Sequence, residues 1–142
     1  MAEALGLVAS IIAVVQISGT VISICDNYQN ALKKTAKDIE RLREGVVSLK
    51  ELLEELATLL RRENLPKAHF DAIQKKLTSS KILTACETEL EGLEKKLRSR
   101  KGIKGIIRAF KQETTEAEVS MTILRIDGYK STLTFALMIG QL

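Results

Sequence analysis

The sequence predicts an all-α protein, an up-and-down bundle of four long helices and one short helix. The first observation is that apolar residues recur at steps of three and four along long segments, as they do on one face of a helix. The second is a composition with 4% aromatic residues, no Trp and one Pro, which favours helices over sheets. The length of 142 residues fits one domain with a hydrophobic core.

The first predicted helix contains 22 consecutive residues without a formal charge, Ala4 to Cys25. At about 1.5 Å per residue it reaches roughly 33 Å, enough to cross a hydrocarbon layer of about 30 Å. Its 11 Leu, Ile and Val residues favour insertion by roughly 3 to 7 kcal/mol in total. Five polar residues oppose that gain: Ser10, Gln16, Ser18, Thr20 and Ser23. These features fit three alternatives: a buried bundle helix, a permanent membrane anchor, or a helix that inserts only when it is released from the bundle.

The two sides of this helix differ in character. Small and polar residues gather on one side by steps of three and four, at Glu3, Gly6, Ser10, Ala13, Gln16, Thr20 and Ser23. Such a side suits water or the close approach of helices in a membrane. The opposite side is predicted to face the bundle core through Val8, Ile11, Val15 and Ile22.

The second helix is predicted from a cap at Thr35, with Asp38 in the first turn, through Arg62. Its core face repeats seven times, at Ile39, Leu42, Val46, Leu49, Leu53, Leu56 and Leu60. Pro66 ends it, because the residue before a proline avoids the helical region. A short helix is predicted from Lys67 to Leu77, before the break at residues 78–80.

Two more long helices complete the predicted bundle. The first has its core face at Leu83, Cys86, Leu90, Leu93 and Leu97. It is followed by a turn near Gly102 and Gly105 and by an apolar cover from Ile106, Ile107 and Phe110. The last is predicted to begin near Thr115, in a capping box with Glu118. Its core face is Val119, Ile123, Ile126, Leu133 and Leu137. Since no stop signal precedes Leu142, we expect residues 1–142 to be one domain at the amino terminus of a longer protein.

The residue inventory argues against an enzyme. The single histidine, His69, follows a proline turn and is expected at the surface, where no catalytic triad forms around it. Cys25 and Cys86 have no CxxC spacing and fit reduced core thiols of an intracellular protein. Metal-ligand spacings and phosphate-binding glycine loops are absent from the sequence. We therefore expect no catalytic residues, no metal and no cofactor.

A basic cluster without acids lies between residues 95 and 111. Its members are Lys95, Lys96, Arg98, Arg100, Lys101, Lys104, Arg108 and Lys111. Cations suit the carboxyl end of a helix in water, and they also gain on the order of 1 kcal/mol each near anionic lipid. Nucleic acid is the weakest interpretation, because stacking aromatics and binding motifs are lacking.

Three features carry a resemblance to a known family: the opening MAEALGLVASIIAVVQISGTVISIC, the long leucine-rich helix that follows it, and the closing IDGYKSTLTFAL. They resemble the HeLo-like family, the amino-terminal domain of fungal NLR-type STAND receptors, and the similarity covers essentially the whole chain. The family signature is matched at Gly6, Val8, Ala9, Ser10 and Ile12 through Val15, and in the last helix at Lys130, Ser131, Leu133, Ala136 and Leu137. Where many members carry a Trp in the basic segment, this chain has Phe110.

The resemblance implies a non-enzymatic cell-death effector that is cytoplasmic at rest and acts at the plasma membrane. Clustering by downstream sensor or nucleotide-binding domains, in the same or a partner protein, would bring copies together, and the first helix would then enter anionic membranes. Expected membrane-inserting residues are Ala4, Leu5, Gly6, Leu7, Val8, Ala9, Ile11, Ile12, Val14, Val15, Ile17, Gly19, Val21 and Ile22. Glu3, Ser10, Ala13, Gln16 and Thr20 are expected to line a pore or helix contact. The basic cluster is expected to contact lipid head groups. The alternative is a soluble adaptor that self-associates without touching lipid.

Overall fold

A computed structural model of the protein describes residues 2–31, 36–99 and 113–141. Within these ranges the chain forms five helices and no strand, which confirms the all-α prediction. The helices are α1 (Ala2–Ala31), α2 (Ala36–Leu60), α3 (Lys67–Ser80), α4 (Ile82–Ser99) and α5 (Glu113–Gly140).

The four long helices form a ring in the order α1, α2, α5, α4, in which each packs on its two neighbours. Helix α3 is the added short element and packs mainly on α5. Because α1 and α5 lie diagonally across the ring, α2 and α4 supply the main contacts of α1. Among the described residues, the side of α1 that faces away from α2 and α4 therefore has few helix contacts.

Contacts between neighbouring helices give their directions. Asp26 pairs with Arg43, and Gly19 lies against Lys50, so α1 and α2 are antiparallel. In contrast, α2 and α5 are parallel, because Gly45 lies near Ile126 and Gly140 lies against Leu59. Antiparallel α4 and α5 are joined by the ion pairs Glu89–Arg125 and Lys96–Glu118. The long helices thus alternate in direction along the chain.

The core is built from the stripes that the long helices turn inward. All seven residues of the repeat predicted for α2 are buried, with at most 4% of their surface exposed.

The helices α3 and α4 are separated by a single residue, Lys81, which adopts a left-handed conformation with φ of 54°. Its amide donates to the carbonyl of Thr78, which ends α3. Helix α3 therefore extends three residues beyond the predicted end at Leu77.

The buried side of α1 differs in part from the predicted core stripe. Val8 and Ile11 are buried as expected, but Val15 and Ile22 are only half-buried. The buried stripe consists of Val8, Ile11, Val14, Ser18, Val21 and Cys25. The prediction followed the correct direction at first and then drifted by one residue, because a helix that is apolar on most sides does not fix its own rotation.

Other differences concern helix ends and half-buried positions. Thr115 is already helical, since the described part of α5 begins at Glu113, so it is not the helix cap. Leu83 and Ile123 are half-buried rather than buried. His69, expected at the surface, is half-buried, and its Nδ1 is buried with no hydrogen-bond partner among the described residues. The turn and the apolar cover predicted for residues 102–110 lie outside the described residues.

Two glycines offer a test of this packing with opposite expected signs. Gly92→Ala meets no atom within 4 Å, so the better helix propensity of Ala raises the free energy of unfolding by about 0.5–1 kcal/mol. At Gly140 a Cβ overlaps the side chain of Leu59, which is itself buried. Gly140→Ala is therefore expected to lower the free energy of unfolding by about 1–3 kcal/mol. Urea unfolding followed by circular dichroism measures both, and equal effects of the two variants would contradict the contact between α2 and α5.

Candidate functional site

Helix α1 combines strong hydropathy with low burial. From Leu5 to Asn27 it has 23 residues, within which an 18-residue apolar window has a mean hydropathy of 2.2, so by length and composition it is able to cross a membrane. Core helices and signal sequences also meet that criterion, but core helices are mostly buried. Only 28% of the residues in the apolar window of α1 are fully buried in the bundle. Most residues of this membrane-length window are therefore exposed or only partly buried.

The exposed side of α1 includes large aliphatic groups as well as small ones. Leu5 is 73% exposed, near the amino-terminal tip. Six further aliphatic residues are only partly buried: Leu7, Ile12, Val15, Ile17, Ile22 and Ile24. The predicted small and polar side is exposed at Gly6, Ser10, Ala13, Gln16 and Ser23, and Thr20 is half-buried. The side chains of Glu3 and Ala4 lie outside the described residues.

Three hydroxyl groups of α1 donate hydrogen bonds to their own helix. Ser18 Oγ donates to the carbonyl of Val14 at 2.8 Å, while Ser10 and Thr20 bond to the carbonyls of Gly6 and Gln16 at 3.1 and 3.2 Å. A hydroxyl that bonds to its own backbone does not leave an unpaired donor in an apolar environment. This pairing explains how Ser18 is fully buried in the core, and it lowers the cost of placing the same groups in lipid.

One ion pair fastens the carboxyl-terminal part of α1 to α2. Arg43 Nε donates to Asp26 Oδ1 at 2.5 Å, and both side chains are partly exposed. A pair with this exposure contributes about 0–1 kcal/mol. Burying a single Val or Ile contributes about 1.5–3 kcal/mol. The apolar stripe, not the ion pair, holds α1 in the bundle.

The amino-terminal part of α1 borders an open groove of about 1060 Å³. Leu5, Val8, Ala9 and Ile12 form one wall, and the α2–α3 connection with the start of α3 forms the other. The second wall contains Leu65 and Phe70 together with three cations and two acids: Arg61, Arg62, Lys67, Glu63 and Asp71. An exposed leucine, an apolar groove and three cations with two acids among them thus lie together at one end of the bundle, which we call the α1 tip surface.

Sequence reasoning did not identify the three cations of the α1 tip surface. Arg61 and Arg62 follow α2 directly and Lys67 begins α3, so they belong to different elements around Pro66. The available signal was a pair of arginines beside a proline turn. Nothing in the sequence places that turn next to Leu5.

The described part of the predicted basic cluster lies away from this surface. Lys95, Lys96 and Arg98 are exposed near the carboxyl end of α4. Lys96 lies 3.4 Å from Glu118 and Arg98 lies 3.1 Å from Glu94, so two of these cations are already paired with acids. Because Leu7 and Ser10 share a cleft with Leu83 and Glu87 near the start of α4, the three cations lie roughly 20 Å along the bundle from Leu5.

The other predicted lipid contacts, Arg100, Lys101, Lys104, Arg108 and Lys111, lie outside the described residues. Among the predicted membrane-inserting residues, Val8, Ile11, Val14 and Val21 face the core, and Leu5, Gly6 and Ala9 are exposed. Membrane insertion of the whole segment therefore requires α1 to leave its contacts with α2 and α4.

Both cysteines are free and buried in the core. Burial raises the pKa of the Cys25 thiol to about 12, with a smaller contribution from the charge of Asp26. The pKa of Cys86 is raised to about 12 as well, chiefly by burial. The thiols are therefore protonated and unreactive at neutral pH in the folded chain.

Comparison with known proteins finds no matching family model, no matching curated protein and no matching solved structure.

Labelling of Cys25 and Cys86 by a thiol reagent is expected to report whether α1 and α4 are packed in the core. At pH 8 a thiol reagent should label neither cysteine in the native protein within the time that labels both in urea. Since the folded pKa is raised, stability is fully present below the unfolded pKa of about 9 and decreases as the pH rises toward 12. The urea midpoint should hold from pH 7 to 8 and fall at pH 10.5, less so in the double variant Cys25→Ala, Cys86→Ala. Immediate labelling of the native chain would contradict this core.

Proposed function

We propose that the chain is a HeLo-like membrane-targeting domain that executes cell death, and that it acts without catalysis. The observation that carries the proposal is the low burial of α1, whose apolar window is 28% buried although its mean hydropathy is 2.2. A helix of this kind is stable in the bundle and also gains from an apolar solvent. The motifs of the first and last helices, which resemble that family, supply the cell-death assignment.

In this proposal, α1 exchanges the apolar environment of the bundle for that of lipid. In the bundle, α1 buries one stripe against α2 and α4, leaves Leu5 exposed and leaves six further aliphatic groups only partly buried. In lipid, both sides of α1 leave water, and the back-bonded hydroxyls of Ser10, Ser18 and Thr20 keep their partners. Gln16, with its exposed amide, is the main polar group that insertion must accommodate, and a facing helix of a second copy would supply its partners.

Clustering supplies the trigger in this proposal. Downstream sensor or nucleotide-binding domains, in the same or a partner protein, gather several copies and so raise their local concentration at the membrane. The chain is cytoplasmic at rest and moves to the plasma membrane when it is activated. The α1 tip surface meets anionic lipid first, because Leu5 is exposed beside Arg61, Arg62 and Lys67.

Liposome leakage tests α1 with a matched pair of variants. The chain is clustered by an inducible dimerisation module fused after Leu142 and added to anionic vesicles filled with dye. Gly6→Glu places a charge on the exposed side of α1, where nothing lies within 4 Å, so the fold is retained. Leakage is expected to drop at least tenfold, because a carboxylate near the tip opposes insertion. Gly92→Glu makes the same chemical change in α4 and also meets nothing within 4 Å, so it is expected to leak like the parent.

Circular dichroism of both variants confirms that the bundle is intact. Leakage that is equal for Gly6→Glu and the parent would contradict insertion through α1. Intact vesicles with every clustered form would favour the soluble adaptor instead.

Two charge-matched triple variants test which end of the bundle meets lipid. Arg61→Gln, Arg62→Gln and Lys67→Gln remove the cations of the α1 tip surface, while Lys95→Gln, Lys96→Gln and Arg98→Gln remove the described part of the basic cluster. The tip variant is expected to bind anionic vesicles roughly 10- to 100-fold more weakly, given about 1 kcal/mol per cation. The second variant is expected to lose less, since Lys96 and Arg98 are paired with acids. Vesicle sedimentation at two salt concentrations measures both, and the reverse order would place the lipid contact at the carboxyl end of α4.

A further inference from the structure

The outward side of α5 exposes four large apolar residues. Of the five large hydrophobic residues that are strongly exposed in the described chain, four lie on this helix: Met121 (52%), Leu124 (64%), Phe135 (52%) and Met138 (58%). The opposite side of α5 fills the core through Ile126 and Leu133, which are fully buried. The bundle core therefore does not account for the exposed set.

These residues fall on one continuous stripe with Gly128 and Ser131 between them. The positions 121, 124, 128, 131, 135 and 138 advance by alternate steps of three and four, which is the spacing of a helix-pairing seam. Along the stripe the order is two large residues, two small residues and two large residues. The stripe therefore has the same pattern in both directions along the helix.

We propose that this stripe pairs with the same stripe of a second copy, with the two α5 helices antiparallel. In that register Met121 lies opposite Met138, Leu124 opposite Phe135, and Gly128 opposite Ser131 of the other chain. The small residues at the centre allow the helices to approach closely, and the large residues at both ends fill the space beside them. A two-fold contact of this type uses one patch twice and closes on itself.

The pattern of the stripe and its charges favour a second copy over an unrelated partner. A stripe that is symmetric about its centre is complementary to itself, whereas an unrelated partner imposes no such symmetry. The flanking charges are already satisfied within the chain, since Arg125 pairs with Glu89 and Lys130 lies 3.5 Å from Asp127. From Ser131 to Gln141 the chain itself carries no charge, and Lys76 of α3, the cation beside this part of the stripe, lies over the Phe135 ring. Opposed helix dipoles favour the antiparallel arrangement.

The proposed contact between two α5 helices is small, so we expect it to be weak. From Met121 to Met138 the stripe is about 26 Å long and one helix wide, which falls well below the roughly 1,200–2,000 Å² of stable complexes. Phe135 is held in place before pairing, because Lys76 Nζ of α3 lies 5.0 Å from the centre of its ring. Pairing therefore depends on local concentration. It does not require α1 to leave the bundle.

Cysteine cross-linking tests the register. Met121→Cys and Met138→Cys chains, one of them carrying a mass tag, are prepared separately and mixed with a short bismaleimide. The mixture is expected to give a dimer of one chain of each kind, at least about fivefold more than either variant alone, because two copies of residue 121 lie about 26 Å apart in this register. The native Cys25 and Cys86 are buried and do not compete. Thr58→Cys, exposed on α2, measures random collisions.

Equal cross-linking of each variant alone, or no dimer above the Thr58→Cys level, overturns the proposal. The double variant Leu124→Glu, Phe135→Glu should lower dimer yield at least fivefold in a Met121→Cys and Met138→Cys mixture, with an unchanged circular dichroism spectrum. If it instead lowers vesicle binding and no dimer forms, the stripe contacts lipid and the pairing is wrong. Gly6→Glu, added to the Met121→Cys and Met138→Cys chains, should leave the dimer yield unchanged. A failure of membrane insertion therefore changes leakage and not cross-linking, whereas a failure of pairing changes cross-linking.

Discussion

The contact of α1 with α2 and α4 is an apolar contact, and the rest of the molecule depends on it. Val8, Ile11, Val14, Val21 and Cys25 are buried there, and each aliphatic group contributes about 1.5–3 kcal/mol. The ion pair between Asp26 and Arg43 contributes about 0–1 kcal/mol. An ion pair is lost when a helix enters lipid, whereas an apolar stripe finds an equivalent environment there. Since burial dominates, the transfer of α1 from the bundle to lipid that we propose would cost less free energy than the transfer of a helix held by polar contacts.

The ring arrangement explains why this contact covers only part of α1. A helix in a four-membered ring contacts two neighbours, and its remaining side faces outward. In α2 that outward side is charged, with Glu40, Glu44, Glu51 and Glu54 all exposed. In α1 the outward side carries small, weakly polar and aliphatic residues instead, and in α5 it carries the stripe from Met121 to Met138. The two helices α1 and α5 thus carry apolar surface that the other described helices do not fully cover.

The sequence predicted α2 better than α1 for a physical reason. Charged residues on α2 occupy the positions between its seven core residues, so periodicity determines which side faces inward. Helix α1 has few such markers, and the prediction placed Val15 and Ile22 where Val14 and Val21 are buried. The end of α3 was missed because Thr78, Ser79 and Ser80 remain helical until Lys81. The cations at the α1 tip were missed because their proximity to Leu5 results from packing between distant segments.

The hydroxyls of α1 have a consequence for the protein while it is being made. Ser10, Ser18 and Thr20 occupy positions where leucine would fit the length and apolar character of the segment, and each leucine would add about 0.3–0.6 kcal/mol toward insertion. With three leucines the nascent chain would present a stronger substrate to the membrane insertion machinery before α2 and α4 exist to shelter it. In the proposed function the hydroxyls would weaken that early capture, and because they bond to their own backbone they cost the finished bundle little. The proposal thus separates the moment at which α1 would enter a membrane from its ability to do so.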